Sequence, residues 1–274
     1  MFQRSEAPSV LPGRITLRQA GRGVNRWAQA LHQPDIRGHG RTWFFDLDNT
    51  LHDASHAAFG PTNQAMTDYI VRHLNLSPDA ANTLRQHYWD RYGATLLGLV
   101  RHHGVAVAHF LHHTHLLPGL EARLRTSSHD RAALKRLPGR KVLLTNAPRA
   151  YALRVLAALR MTRCFDAVIS IEDMRVFGAL RPKPDARLFR RLAVCLKTPA
   201  HRCVLVEDTL AHQKGARKAG MHTAWMLRYQ PNGVSVNNAT ESTRVSVHPC
   251  AKPSYVCARI KQIQTLRRHW GSPR

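Results

Sequence analysis

Acidic residues are scarce in this chain: 17 Asp and Glu stand against 41 Lys and Arg across 274 residues, a formal charge of +24 at pH 7. A balance of that size fits nucleic-acid binding, attraction of anionic substrates, or a coding bias toward arginine. Its distribution argues against a dedicated nucleic-acid surface. Residues 1–41 carry a net +5 and residues 231–274 a net +6, and the rest of the excess is spread along the middle without a compact basic block or interleaved aromatics. Long apolar runs are also missing. None approaches the roughly 20 residues of a membrane span, so the expectation is a soluble chain with no membrane partner. Cysteine is sparse: Cys164, Cys195, Cys203, Cys250 and Cys257 are odd in number and lack CxxC spacing, which speaks against a disulfide framework and suits the reduced thiols of a cytoplasmic protein.

What is present suffices for a folded core. Hydrophobic residues make up 43% of the chain, and the length accommodates one large domain or one domain with an inserted subdomain. Residues 1–40 read as a basic, poorly ordered extension, because Gly13, Gly21, Gly23, Gly38 and Gly40 break any long helix. Their arginine-rich, acid-poor composition is also that of an organelle transit peptide.

From residue 41 the pattern is that of an α/β fold. Trp43 to Phe45 reads as a buried parallel strand, followed at about 53–138 by an insert with only helical spacing. Strands then alternate with helices: Lys141 to Thr145, Ala167 to Ile171, Arg202 to Val206 and His222 to Leu227 are the apolar runs. Such alternation demands a Rossmann-like, doubly wound parallel sheet over residues 41–52 and 139–230, with the insert as an all-helical cap over the strands' carboxyl ends. Residues 231–274 read as a Ser- and Asn-rich loop, then a last strand and short helix closing the core.

Polar groups gather at the predicted strand ends. Asp46 and Asp48, two apart, can face one crevice, where paired carboxylates call for a cation. Thr145, Lys183 and the Glu207-Asp208 pair follow at later strand or loop ends. The histidines of the insert, His102, His103, His109, His112, His113 and His115, lack nearby Cys or carboxylate partners and read as a solvated or partly packed surface.

The order DxDxT at Asp46 to Thr50, a strand ending in Thr145, the Lys183-Pro184 pair and Glu207-Asp208 resembles the haloacid dehalogenase (HAD) superfamily of phosphohydrolases, and the insert resembles its C1-type cap. Tyr88 to Leu99, together with Thr145-Asn146-Ala147-Pro148, resembles the pyrimidine 5'-nucleotidase family within it. The resemblance implies a phosphatase acting on pyrimidine nucleoside 5'-monophosphates, with Asp46 as nucleophile and Asp48 as proton donor and acceptor. It implies Mg2+ at the Asp46 carboxylate, the Asp48 carbonyl and Asp208. Thr145, Asn146 and Lys183 are then expected at the phosphate, and Tyr88 and Tyr92, with Trp89 and Phe59, as aromatic candidates for the base. His212 stands where many relatives carry a further acid or amide. Another small phosphate ester, a phosphomutase reaction, and nucleic-acid binding on an inactive scaffold are the alternatives; dehalogenation gives Asp48 no evident task. The sequence is silent on oligomeric state.

Overall fold

The central strands are buried at every position, so one sheet must carry helices on both of its faces. A computed structural model describes residues 40–230 and 252–270; the expected amino-terminal extension and the 231–251 loop lie outside these described residues. Strand β1 (Thr42–Phe45) leads into a π-helical turn (Ser55–Phe59) and helices α1 (Gly60–Leu74), α2 (Pro78–Tyr92), α3 (Thr95–His103), α4 (Val107–Thr114), α5 (Leu120–Arg123) and α6 (Ser128–Arg136). Then follow β2 (Arg140–Leu144), α7 (Arg149–Ala158), β3 (Ala167–Ile169), a hairpin of β4 (Arg175–Val176) and β5 (Ala179–Leu180), and α8 (Ala186–Cys195). Strand β6 (Cys203–Glu207), α9 (Leu210–Lys218), β7 (His222–Met226), β8 (Ala258–Ile260) and α10 (Leu266–Trp270) complete the described chain.

The main sheet has the order β3-β2-β1-β6-β7-β8, with every neighbouring pair parallel. Trp43, Phe45, Leu143, Val204 and Val206 pack on one face with α7, while Phe44, Val142, Leu144, Cys203 and Leu205 pack on the other with α8. Successive strand residues point to opposite faces, so both faces must be covered and the runs are apolar throughout. Each large side chain buried this way contributes roughly 1.5–3 kcal/mol.

The chain winds from β1 through β2 to β3, then crosses to β6 on the other side of β1. The strand order therefore reverses between β1 and β6, where a crevice opens at the carboxyl ends. Register makes those ends level: Phe45 lies opposite both Leu143 and Val206.

The helical insert has its own apolar cluster, built on Tyr69, Ile70, Tyr88, Leu96, Leu99 and Phe110. Both ends of the 53–138 stretch pack elsewhere. Ala57, Leu120, Leu134 and Leu137 bury against the sheet, and buried Asp130 on α6 pairs with Arg228 beyond β7. Helices α2 and α3 are separate because Gly93 takes a left-handed φ of 75° and ends α2. Among the described residues, no helix is long and apolar enough to cross a membrane, and Cys164, Cys195, Cys203 and Cys257 are free thiols.

Candidate active site

Strand β1 ends at Phe45, so Asp46 and Asp48 stand on the loop leaving it rather than on the strand itself. The backbone N–H of Asp46 still donates to the Val206 carbonyl at 3.0 Å, extending the ladder by one residue and fixing the carboxylate at the crevice. Both aspartates line one cavity of about 400 Å3 that reaches from the strand ends into the cap, and Thr145, Asn146, Lys183 and Asp208 line it too. The four polar strand and loop ends therefore meet.

Lys183 is 1% exposed, and its ammonium group donates to Asp46 Oδ1 at 2.6 Å and to Glu207 Oε2 at 2.7 Å. Burial alone would strip its proton, but the two carboxylates outweigh burial and hold its pKa above the usual lysine value. Asp46 is pushed up to about 8 by burial and then by the Glu207 charge, against the pull of Lys183. Asp208 is raised by the same two causes. Burial would also raise Glu207, yet Lys183 and then His212 bring it below the ordinary carboxylate range. His212 Nδ1 lies 3.1 Å from Glu207 Oε2, an ion-pair contact without hydrogen-bond alignment.

Carboxylate oxygens of Asp46, Glu207 and Asp208 lie within 4.8 Å of one another. Three carboxylates against one ammonium leave excess negative charge in a buried place, and hard oxygen donors suit a divalent cation of the Mg2+ kind. The donor set thus fits such an ion, and Glu207 joins Asp46 and Asp208 among the carboxylates that could hold it.

Asp48 is held at one oxygen only. Tyr151 OH donates to its Oδ1 at 2.7 Å, and His52 Nε2 lies 3.0 Å from the same atom. Burial and then the Asp48 charge raise the Tyr151 pKa, which keeps the phenol a donor. His52 is fully buried. Thr145, 1% exposed, accepts from the Ala147 N–H at 3.0 Å and caps the turn into α7. Asn146 places its amide on the Lys183 backbone, accepting from N at 3.1 Å and donating to O at 2.9 Å.

Tyr88 and Tyr92, expected at the base, are not brought to the cavity. Tyr88 is packed into the cap cluster with its hydroxyl 2.8 Å from His103 Nε2, and Tyr92 OH lies 2.6 Å from His102 Nε2. The aromatic lining is Phe59, Trp89 and Phe110. Trp89 sits one residue, about 100° of helix, from Tyr88, enough to turn it from the cap cluster to the cavity. Tyr151 and Arg85 also escaped the sequence reading.

Residues 41–220 match the family of haloacid dehalogenase-like hydrolases. The curated Phosphate metabolism protein 8 of Saccharomyces cerevisiae is 24% identical over 219 residues, 75% of this chain and 67% of the yeast protein. Similar solved structures include a HAD phosphatase from Thermococcus onnurineus, 18% identical with a TM-score of 0.54, covering 85% of this chain and 99% of that one. CbbY from Rhodobacter sphaeroides, solved in complex with phosphate, is 15% identical with a TM-score of 0.53, covering 83% of this chain and 96% of its own. At these identities the solved structures share the fold.

Proposed function

The chain belongs to the haloacid dehalogenase-like hydrolases, and from that premise we propose that it is a Mg2+-dependent phosphatase releasing phosphate from pyrimidine nucleoside 5'-monophosphates. One observation carries the reading: Asp46, paired to Lys183, and Asp48, held at a single oxygen by Tyr151, line the same cavity. Asp46 supplies an in-line nucleophile, and Asp48 supplies the proton that a poor alkoxide leaving group requires. Dehalogenation has no use for the second of these.

In the first step a carboxylate oxygen of Asp46 bonds to phosphorus while the ester P–O bond breaks, and the departing 5' oxygen takes a proton from Asp48. Hydrogen bonds converge on Asp48 Oδ1, which leaves Oδ2 to carry that proton. In the second step water attacks the aspartyl-phosphate, gives its proton to Asp48 and restores Asp46. Lys183 stabilises charge on the transferring group and lowers the cost of the adjacent carboxylates. Thr145 Oγ1 donates to a phosphoryl oxygen in this reading, while it accepts from the Ala147 N–H. Asp46, Glu207 and Asp208 would hold Mg2+, which when bound supplies positive charge beside the phosphoryl oxygens.

The cap supports a nucleoside leaving group. The cavity volume is within the roughly 300–1,000 Å3 of small-molecule sites, and Phe59 and Trp89 are among the residues lining it. The name of the yeast relative places that protein in phosphate metabolism, the chemistry proposed here. A cytoplasmic setting, given the free thiols, belongs to the same proposal. The test is a phosphate-release screen over nucleoside monophosphates and sugar phosphates, with and without Mg2+. Release from UMP or CMP that requires Mg2+ is expected. An isomerised sugar phosphate, halide release from a 2-haloacid, or salt-sensitive nucleic-acid binding without any turnover would each replace the reading.

A further inference from the structure

At the cap end of the active-site cavity stands a cation that the phosphoryl chemistry leaves without a task. Arg85, on α2, is 9% exposed and lines the cavity together with Asn63 and Trp89. Its guanidinium is braced by neutral amides: Nε and Nη2 donate to Asn82 Oδ1 at 3.3 and 2.8 Å, and Nη1 donates to Asn63 Oδ1 at 3.3 Å. Among the described residues no ion pair involves it. Burial lowers its pKa and no carboxylate restores it.

A buried charge without a counter-ion is costly unless a ligand completes it. A guanidinium carries five N–H groups, and three are used, which leaves one on each terminal nitrogen. Asn63 accepts from Arg85 with its amide oxygen, and its NH2 has no hydrogen-bond partner among the described residues. The hydrogens left over on the pair are therefore donors available to a ligand. We propose that Arg85 and Asn63 form a specificity subsite for oxygen acceptors on the leaving group, a base carbonyl or a carboxylate. The subsite rests on the phosphatase reading for its role in turnover, though its ligand chemistry does not. Toward pyrimidines it favours the 4-oxo group of uracil or thymine, and it leaves the 4-amino group of cytosine, itself a donor, facing donors.

The proposal is tested by kcat/KM for UMP, CMP, 3-phosphoglycerate, glycerol 3-phosphate and phenyl phosphate, in wild type, Arg85→Met and Asn63→Asp. Asn63→Asp keeps the side-chain shape but gives Arg85 an internal counter-ion and removes the NH2 donor, so it probes the subsite even where Arg85→Met folds poorly. In wild type, UMP is expected to exceed CMP about tenfold, and both variants to lose roughly 10- to 100-fold on UMP while phenyl phosphate changes less than twofold. A base carbonyl as the acceptor shows as the UMP arm falling in the variants, a carboxylate as the 3-phosphoglycerate arm falling relative to glycerol 3-phosphate. Equal losses on phenyl phosphate and UMP, or no loss on either oxygen-bearing substrate, overturn the proposal. If no ester is turned over, the phosphatase reading fails alone, and the subsite is judged by calorimetric binding of uridine, cytidine and lactate. Uridine or lactate binding that Asn63→Asp weakens supports it; affinities unchanged by that variant overturn it.

Discussion

The amide of Asn146 clasps the backbone of Lys183 from both sides, accepting from its N–H at 3.1 Å and donating to its carbonyl at 2.9 Å. The clasp ties the loop after β2 to the loop that delivers the ammonium group to Asp46. It also gives Asn146 a positioning role on Lys183, beside the phosphate contact expected of it. Asn146→Ala is expected to lower kcat roughly 10- to 100-fold, the penalty of displacing a catalytic group by a fraction of an ångström, with KM within about twofold. Steady-state kinetics on UMP separate the two roles, since a residue that binds phosphate directly would raise KM.

Asp46→Asn is expected to abolish turnover and also to change how stability depends on pH. Asp46 is raised from 3.8 to about 8, so between those values the folded protein holds more protons than the unfolded chain. Stability then falls as pH rises through that window. Asp208, raised likewise, adds to the fall. Glu207 is lowered from 4.5, so its stabilisation is present above that value and is lost only in more acidic solution. Buried His115, lowered from 6.5 to about 4, adds stability as pH rises only up to about 6.5. Thermal unfolding of the metal-free protein from pH 6.5 to 8 should therefore show a falling Tm, flattened in Asp46→Asn and flattened in wild type by Mg2+. A Tm that rises across the window in wild type refutes the charge arrangement.

Tyr151→Phe removes the 2.7 Å hydrogen bond to Asp48 Oδ1 and nothing else of the side chain. The ring remains packed against the sheet, so Tm should change little. With only His52 left on that oxygen, Asp48 is less well aimed, and kcat should fall about tenfold for a substrate with a poor leaving group. An activated aryl phosphate, whose leaving group needs little protonation, should lose less. Equal losses on both substrates would show that Tyr151 acts elsewhere than on proton transfer.

The strand ends and their polar residues were legible because a parallel sheet levels its carboxyl termini, and motif order alone then predicts which side chains meet. Glu207 as partner of Lys183 was not, since that contact depends on register between a loop and β6 rather than on spacing. Nothing in the local spacing singled out Tyr151 of α7, whose hydroxyl reaches Asp48 across 103 positions. Tyr88 and Tyr92 were misplaced because helical period identifies a shared stripe without saying whether the stripe faces the cap's own cluster or the cavity. The β4-β5 hairpin has two residues a side, too few for any period to register.

Pro184, next to Lys183, is wedged between close approaches from Gly93 of the cap and Gly215 of α9. A Cβ on Gly215 of α9 would come 2.1 Å from the Pro184 carbonyl oxygen, and one on Gly93 of the cap 3.2 Å from Pro184 Cδ. The first clash is against backbone and cannot be relieved by a rotamer change, so the Lys183 loop or α9 must move. Gly215→Ala is expected to destabilise by about 1–3 kcal/mol, as overpacking does, and to lower kcat by more than that loss of folded protein explains. Activity per folded molecule, taken at a temperature well below the variant's Tm, makes the comparison. A variant of unchanged specific activity would mean that α9 yields and the lysine keeps its place between Asp46 and Glu207.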